Sequence, residues 1–412
     1  MLLSTQAALP ADLENKPSPN AAMSLQWSAS AGRLLRESKF VEAEAAYSQA
    51  VALDHTNVQG HLGLGRIATL RSEKRQAAKH FSTAYQIDPH NPDVILAFAG
   101  VMENREARLT LLRNFLALAR DHRVQAVRQK LQVEEQIGNR TASVLSSPYE
   151  PYRIPLFSSR TGLLLHAKIN GGRELKLIVD TGASGVVLNA SSARGMNLEL
   201  LAQTALAGFG SGPMAQARLA LAASFESGEF QLANLLLEIS QMELTVDADG
   251  VVGLDLFENF LIRVDARARV LALTPFADEP PLAACPDCVP TYRLGHLLLV
   301  HGKVNGASDG YFILDSGAPC SLVSRKLFPR ESGRSSEASG VQGTQDLGIP
   351  STPVSIELGG KHFFDFEYAT LDTDEISSRN GAEISGAIGL SMLRNVALTI
   401  DYRDGWVKLG KP

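Results

Sequence analysis

The stretch Leu177-Ile178-Val179-Asp180-Thr181-Gly182-Ala183-Ser184 decides how this chain is interpreted, because an apolar run leads an aspartate directly into a turn of small residues. The pattern returns as Phe312-Ile313-Leu314-Asp315-Ser316-Gly317-Ala318-Pro319, with Asp315 lying 135 residues after Asp180. A single Asp-Thr/Ser-Gly is an ordinary turn in most proteins. Two copies in matching surroundings predict two carboxylates that meet face to face.

The surroundings of the two aspartates also repeat. Residues 162–189 align without gaps with residues 297–324, and both copies contain Asn-Gly, at 170–171 and 305–306. Asn-Gly favours a two-residue β-hairpin, because both central residues take a positive φ. Later in each copy, Gly250-Val251-Val252-Gly253 corresponds to Gly386-Ala387-Ile388-Gly389. Each half is therefore predicted as a hairpin, an Asp turn, a variable middle, an apolar-Gly element and a closing hairpin.

On these motifs, residues 156–412 resemble a retropepsin-type aspartic protease with two lobes fused in one chain. The resemblance implies an all-β bilobal acid-protease fold with pseudo-twofold symmetry. It also implies that Asp180 and Asp315 are the catalytic pair, with a polypeptide as substrate and with no cofactor or metal. Because both copies lie in one chain, the catalytic unit is expected to be complete without a partner subunit.

The resemblance assigns supporting roles to the neighbours of the two aspartates. Residues that support the pair are expected to be Thr181, Gly182, Ala183, Ser316, Gly317 and Ala318. Residues that pack behind the site are expected to be Val251, Val252, Gly253, Ile388 and Gly389. Glycine-rich stretches have the low local stability that a moving flap requires, and the flap candidates are Gly208, Phe209, Gly210, Val341, Gln342 and Gly343. Neither stretch contains the tyrosine of a pepsin-type flap.

A pair of aspartates suits peptide hydrolysis for an electrostatic reason. Two negative charges about 3 Å apart at an effective dielectric of about 20 repel by roughly 5 kcal/mol, so the pair holds one proton over a wide pH range. The ionised member can take a proton from water while the protonated member donates to the carbonyl oxygen. The matched His166 and His301 are predicted as exposed strand residues, and the matched Asp265 and Asp401 as turn-forming residues.

The N-terminal third has a different periodicity, with apolar residues at helical spacing. Ala43, Tyr47, Ala50 and Leu53 recur 34 residues later as Ala77, Phe81, Ala84 and Ile87. This period resembles tetratricopeptide repeats, with a third, weaker unit from Pro92 and a final helix over 124–137. Most of these positions are expected to be packing between helices. The concave groove is the expected place for a peptide or protein partner, although a role as a spacer remains open.

Composition sets further bounds on the function. The net charge of −5 argues against a nucleic-acid partner, and no apolar run approaches the roughly 20 residues that span a bilayer. The chain has three cysteines, and Cys285-Pro286-Asp287-Cys288 is expected to form either a local disulfide or two linker thiols. The apolar N-terminus is either a signal-peptide remnant or a disordered leader. Export to the periplasm or medium is favoured slightly over a cytoplasmic location.

The expected domain organisation follows from these changes in pattern. We assign residues 1–22 to a leader, residues 23–138 to a helical repeat domain and residues 139–155 to a linker. The first lobe is assigned to residues 156–277, the interlobe linker with the C-x-x-C to residues 278–290, and the second lobe to residues 291–412. The leading hypothesis is an aspartic endopeptidase whose repeats position substrate. The alternative is a tetratricopeptide adaptor with a catalytically inactive, peptide-binding protease-like domain.

Overall fold

The structure is a computed structural model that describes residues 18–244, 247–278, 282, 285, 287–328 and 334–411. A helical region comes first and a β-rich region follows it. The seven helices described in the first region are α1 (Pro19–Arg36), α2 (Phe40–Leu53), α3 (Val58–Leu70), α4 (Lys74–Ile87), α5 (Pro92–Gly100), α6 (Arg105–Leu118) and α7 (Arg123–Ile137). In the described part of the chain, no helix is both long and apolar enough to cross a bilayer.

Helix α1 begins four residues earlier than predicted, inside the stretch assigned to a flexible leader. Ser18 is the N-cap and its hydroxyl accepts a hydrogen bond from the Ala21 N–H at 3.2 Å. Pro19 occupies the first helical position, where its missing N–H and fixed φ favour a helix start. Pro19 therefore marks a helix N-terminus rather than a leader. Residues 1–17 of the predicted leader lie outside the described residues.

The 34-residue period corresponds to contacts between neighbouring helices. Ala43 and Ala77 are fully buried (0% exposed). The rings of Tyr47 and Phe81 lie against Gly63 and Gly65 of α3, so closely that a Cβ at either glycine would overlap the ring. The small residues thus let α3 approach α2 and α4, and the period reflects helix packing.

The β-rich region consists of two consecutive parts. We call residues 156–277 the first β half and residues 291–411 the second β half. Two short strands precede the first half along the chain, namely β1 (Val144–Leu145) and β2 (Tyr152–Pro155). The strands of the first half are β3 (Phe157–Ser158), β4 (Leu163–Ile169), β5 (Leu175–Asp180), β6 (Val186–Asn189), β7 (Glu199–Leu206), β8 (Ala215–Ser227), β9 (Phe230–Ser240), β10 (Gly250–Gly253), β11 (Phe260–Asp265) and β12 (Val270–Pro275).

The second β half begins with β13 (Cys288–Leu294), which starts just ahead of its predicted boundary. It continues through β14 (Leu297–Val304), β15 (Ser308–Leu314), β16 (Leu322–Ser324), β17 (Arg334–Gly340), β18 (Gly343–Ile349), β19 (Val354–Leu358), β20 (Lys361–Asp365), β21 (Ala369–Leu371), α8 (Asp374–Asn380), β22 (Gly386–Ile388), α9 (Leu390–Leu393), β23 (Ala397–Asp401) and β24 (Trp406–Gly410).

The two halves share one topology. Strand β10 is parallel to β5 and antiparallel to β6, and β22 is parallel to β15 and antiparallel to β16 in the same way. The predicted hairpins β4–β5 and β14–β15 are present. Asn170 and Gly171 have φ of 51° and 64°, and Asn305 and Gly306 have φ of 50° and 69°, as a two-residue Asn-Gly turn requires.

A shared sheet joins the halves through their closing hairpins. Its strand order is β2-β12-β11-β23-β24-β13, with β11 and β23 pairing across the junction. The stretch 139–155, predicted as a linker, therefore contributes β2 to this sheet and β1 to the first half. Tyr152 and Ile154 of β2 are buried in the core. Pro151 precedes β2 and Pro155 is its last residue, and proline is tolerated there because β2 is an edge strand.

The predicted interlobe linker is only partly described, since residues 279–281, 283–284 and 286 lie outside the described residues. Of the two alternatives for Cys285 and Cys288, the structure shows free thiols. The two side chains hydrogen-bond each other, and Cys288 already belongs to β13, where it pairs with Lys408 of β24.

The helical region packs against both β halves. Phe40 of α2 is 1% exposed and lies between Tyr292 and Tyr311 of the second half, with ring centroids 4.2 and 4.8 Å away. At the other end of the region, Ile137 of α7 packs with Leu201 and Leu221 of the first half. The helices therefore share apolar cores with the β-rich region at two separate places.

Candidate active site

The two aspartates predicted from sequence meet where the matched strands β5 and β15 end. The carboxylate of each lies against the glycine of the opposite turn. A Cβ added to Gly182 would stand 2.9 Å from Asp315 Oδ1, and one added to Gly317 would overlap the carboxylate of Asp180. Glycine is needed at both positions because no side chain fits between the turns. The structure thus brings Asp180 and Asp315 into direct contact.

The residues after each aspartate bind the two turns together by reciprocal hydrogen bonds. Thr181 Oγ1 donates to the Leu314 carbonyl at 2.7 Å and accepts from the Ser316 N–H at 2.8 Å. Ser316 Oγ donates to the Val179 carbonyl at 3.0 Å and accepts from the Thr181 N–H at 3.0 Å. Both hydroxyls are buried, so these bonds fix the separation of the turns.

Backbone N–H groups converge on the carboxylates. Asp180 Oδ1 accepts from Gly182 N at 2.7 Å and from Gly317 N at 3.1 Å. Asp315 Oδ1 accepts from Gly317 N at 3.1 Å and from Ala318 N at 3.0 Å. These donors favour the ionised form, whereas burial opposes it.

Burial prevails at both groups. It raises the pKa of Asp180, and the neighbouring Asp315 charge raises it further. Burial also raises the pKa of Asp315, but the N–H of Ala318 and the hydrogen bond from Asp180 oppose that rise. The pair therefore favours a state with one shared proton and one negative charge, which is the state that can act as acid and base together.

Part of this chain is similar to a known protein family. The family model described as "Aspartyl protease" matches residues 165–256, which contain Asp180 and the element Val251–Gly253. The chain contains an aspartic protease-like domain. No curated protein matches this chain. Among solved structures, the aspartic proteinase from Irpex lacteus is similar with a TM-score of 0.42 and 10% sequence identity, over 64% of this chain and 97% of that one.

Behind the turns of the protease-like domain lie the apolar-Gly elements. In β10, Val251 and Val252 pair with Ile178 and Val179, and Gly253 pairs with Asp180 itself. In β22, Ile388 pairs with Leu314, and its carbonyl accepts the Asp315 N–H at 3.0 Å. Gly389 contacts the backbone of Cys320 so closely that no side chain would fit. Each element is therefore hydrogen-bonded to the strand or turn that carries an aspartate.

Each half also has a carboxylate brace near its Asp turn that the sequence analysis did not find. In the first half, Asp255 accepts from Ser184 Oγ at 2.6 Å and from Gly185 N at 2.8 Å. In the second half, the buried Asp365 accepts from Ser391 Oγ at 2.6 Å, and Ser391 Oγ accepts from the Ser321 N–H at 3.2 Å, just beyond the Asp turn. The two braces come from different positions of the repeat, so the internal alignment contained no signal for them.

The two flap candidates lie at the tips of hairpins β7–β8 and β17–β18 and contact each other. Gln342 is 4% exposed and makes four hydrogen bonds across the contact. Its side chain accepts from Gly208 N and donates to the Gly212 carbonyl, both at 2.9 Å. Its backbone N–H donates to Phe209 O at 2.9 Å and its carbonyl accepts from Gly212 N at 2.6 Å. The flap tips are thus joined by one glutamine.

Gly210, Val341 and Gly343 belong to the same contact. A Cβ at Gly210 would stand 2.6 Å from the Gln342 backbone, and Gly343 has a φ of 90° at the turn that carries Gln342. Val341 packs with Val187 and Leu206 of the first half. The flap of the second half therefore rests on the first half.

His296 is a site residue that the sequence analysis missed. Its Nε2 lies 3.0 Å from the Gly182 carbonyl and donates to it, and its proximity lowers the pKa of Asp315. The corresponding residue of the first half, 135 positions earlier, is Thr161. Position 296 lies just before the stretch 297–324 that aligns with 162–189, so the internal alignment contained no signal for it.

Other residues singled out from sequence lie away from the dyad. His166 pairs with Glu174 at 3.0 Å and His301 with Asp309 at 3.7 Å, both on strand surfaces. Asp265 and Asp401 accept the N–H of Ala268 and of Asp404 and close the turns after β11 and β23, which confirms the prediction that they form turns. Across the described residues, no cluster of three His, Cys, Asp or Glu side chains is arranged to hold a metal.

Proposed function

We propose that this chain is an aspartic endopeptidase that hydrolyses peptide bonds at Asp180 and Asp315. The observation that carries the proposal is the contact of the two carboxylates, each pressed against the glycine of the opposite turn. A family model of aspartyl proteases that matches residues 165–256 supports it. No cofactor is needed, because the pair supplies both the base and the acid.

In the proposed mechanism, the ionised Asp315 removes a proton from a water molecule held between the carboxylates. The protonated Asp180 donates its proton to the carbonyl oxygen of the scissile bond as the water attacks. The tetrahedral intermediate collapses when Asp315 gives the proton that it took from water to the nitrogen of the leaving amine. The C–N bond then breaks, and a hydroxyl of the intermediate returns its proton to Asp180 as the carboxylic acid product forms.

The neighbouring residues are proposed to keep this pair rigid. Thr181 and Ser316 lock the turns, and the small residues Gly182, Ala183, Gly317 and Ala318 leave room for the carboxylates. The N–H groups of Gly182, Gly317 and Ala318 donate to those carboxylates. Catalysis needs groups held within about 0.5 Å of the productive geometry, and the β10 and β22 elements provide that support from behind. The flaps that meet at Gln342 are proposed to close over a bound polypeptide and to open for its entry.

We further propose that residues 156–277 and 291–412 are the two lobes of one enzyme, complete in a single chain. The helical region is proposed to consist of tetratricopeptide repeats within residues 23–138. The 34-residue period and the packing of Tyr47 and Phe81 on α3 glycines support this assignment. The repeats would position a substrate or partner next to the lobes, against which they pack.

The test is cleavage of an unstructured protein substrate from mildly acidic to neutral pH, with and without pepstatin. We expect cleavage by the wild-type chain, inhibition by pepstatin, and loss of cleavage in both Asp180→Asn and Asp315→Asn. Continued cleavage by both variants would exclude the dyad. A folded wild-type chain that cleaves nothing but binds peptides would support the adaptor alternative.

A further inference from the structure

A groove lies between the helical region and the second β half. Its volume is about 570 Å³, and helices α1, α3 and α5 form one wall. Leu35, Phe81 and Leu96 supply apolar surface, while Leu294 and Asn380 line the groove from the β side. Because both regions form its walls, the groove exists only in the assembled chain.

The groove carries an excess of positive charge. Arg36, Arg66, Arg123 and Arg293 line it, against one acidic residue, Asp93. Arg123 is paired with Asp93 and Asp121, and Arg293 with Glu258. Within the described part of the chain, Arg36 and Arg66 make no ion pair or side-chain hydrogen bond, and both are exposed. Two guanidinium groups are therefore available for an anionic ligand.

Tyr47 adds a hydroxyl donor to the two arginines. Its side chain lines the groove, and its hydroxyl makes no hydrogen bond to another described residue. The Tyr47 hydroxyl and Arg36 Nη1 lie 3.5 and 3.8 Å from the Cβ position of Gly32, so both groups lie on the same side of the groove. Burial raises the pKa of Tyr47, which keeps it a hydroxyl donor. A hydroxyl that makes no hydrogen bond within the chain can donate to a ligand in the groove.

The β13–β14 turn connects the groove with the first Asp turn. Leu294 and Gly295 line the groove, and the next residue, His296, contacts the Gly182 carbonyl in the first Asp turn at 3.0 Å. A polypeptide held in the groove would therefore contact the same turn that touches the residues beside Asp180.

We propose that this groove is an exosite that binds an acidic segment of the polypeptide substrate, with Arg36, Arg66 and the Tyr47 hydroxyl holding its carboxylates. Guanidinium groups bind carboxylates through paired, charge-assisted hydrogen bonds, and the apolar side of the groove accepts the aliphatic parts of the segment. The assignment of the ligand as substrate rests on the proposed protease function, whereas the binding of acidic peptide does not.

Binding is tested first on the full-length Asp180→Asn chain, with fluorescein-labelled hexaglutamate and hexaglutamine as probes in anisotropy titrations. Hexaglutamate is expected to bind and hexaglutamine to bind at least tenfold more weakly. Arg36→Gln with Arg66→Gln is expected to weaken hexaglutamate binding roughly tenfold or more, and Tyr47→Phe several-fold. Arg75→Gln removes an exposed charge of α4 outside the groove and is expected to leave the affinity unchanged.

Equal affinity in the double variant and in wild type would overturn the proposal. An equal loss in Arg75→Gln would do the same, since it would show attraction to the whole surface. Tyr47→Phe keeps the packing of the ring, so a loss in that variant reports the hydroxyl itself. Thermal unfolding of each variant verifies that the fold is intact.

Cleavage is tested second, with two substrates that share one unstructured segment and differ in a six-residue glutamate or glutamine tract. The acidic tract is expected to lower KM roughly tenfold without changing kcat, and the Arg36→Gln/Arg66→Gln variant is expected to lose that difference. Equal KM values for both substrates in wild type would reject the exosite even if hexaglutamate binds. Absence of all cleavage would instead count against the protease function, while the anisotropy result would still decide whether the groove binds acidic peptide.

Discussion

The first and second β halves share the elements that carry and support their aspartates, and they differ most in the segments between those elements. Both place Asp-Thr/Ser-Gly-Ala at the end of a hairpin strand and back it with a parallel apolar-Gly strand. The middles diverge, because β8 is one strand of 13 residues whereas β18 and β19 take its place in the second half. The second half also has the helix α8 between β21 and β22. The parts that are alike are those that hold the two carboxylates together.

The halves also differ in which backbone N–H groups bind the two carboxylates. Asp315 receives both of its N–H donors from its own turn, whereas Asp180 receives one from its own turn and one from Gly317 of the other half. Each carboxylate thus accepts two N–H groups, but the Gly317 N–H is shared by both. Near-symmetry of the backbone therefore coexists with an asymmetric set of donors.

The largest effect is expected from the aspartates themselves. Asp180→Asn and Asp315→Asn should each lower kcat/KM by roughly 10⁴-fold, because each variant lacks one partner of the acid–base pair. The measurement is cleavage of an unstructured protein by purified variants. If one variant retained substantial activity, the halves would not be equal partners in catalysis.

The second prediction concerns the free energy of unfolding, whose dependence on pH should differ between variants of the two aspartates. An unfolded Asp titrates near pH 4, and the folded pKa of Asp180 is higher. Between those values the folded state holds a proton that the unfolded state has released, so the free energy of unfolding of wild type falls as pH rises. Asp180→Asn has no such proton. Its unfolding free energy should therefore exceed that of wild type increasingly above pH 4, by about 1.4 kcal/mol per unit of pKa shift.

Urea unfolding of wild type, Asp180→Asn and Asp315→Asn at several pH values checks this prediction. The gain should be smaller in Asp315→Asn, because the neighbouring aspartate raises the pKa of Asp180 but lowers that of Asp315. A larger gain in Asp315→Asn would place the proton on the second half instead.

The third prediction tests whether the cross-bonds are equivalent. Thr181→Val and Ser316→Ala each remove a buried hydroxyl and leave an N–H and a carbonyl without partners, which should lower the unfolding free energy by about 1–3 kcal/mol. Thr181→Ser and Ser316→Thr keep the hydroxyls and serve as controls with near wild-type stability. Values that differ strongly between the two deletions would show that one half carries most of the junction.

The smallest effect is expected at the flap contact, where the halves meet through Gln342. Gln342→Ala removes two side-chain hydrogen bonds between the tips, so the flaps should separate more readily. KM should rise a few-fold, and limited proteolysis within residues 207–214 should become faster. Gln345→Ala alters a glutamine of β18 that bonds to Asp372 rather than to the other flap, and it should leave both measurements unchanged.

The sequence predicted the parts of the fold that the repeat encodes. The two Asn-Gly hairpins, the Asp turns and the apolar-Gly strands could be located because each pattern occurs twice in the same order. The strands β1 and β2 were missed because short edge strands flanked by prolines have the composition of a linker. The start of α1 was misplaced because Pro19 is typical both of a helix start and of a leader.

Contacts between positions unrelated by the repeat could not be predicted. The Ser184–Asp255 and Ser391–Asp365 braces, the His296 contact with Gly182 and the arginines of the groove all depend on how distant segments pack. The contact between the flaps belongs to the same class. Sequence located both tips, but the role of Gln342 follows only from the geometry between them.

The burial of Phe40 between Tyr292 and Tyr311 predicts what happens when the helical region is removed from the chain. Removing the helical region would leave these two tyrosines beside Leu299 and Ile313 as an uncovered apolar surface on the second half. A severed β-rich region should therefore self-associate, while the intact chain should melt in one transition. The amino-terminal helices act as a cover for the second half, and a gene fusion that replaced them would need to supply a new one.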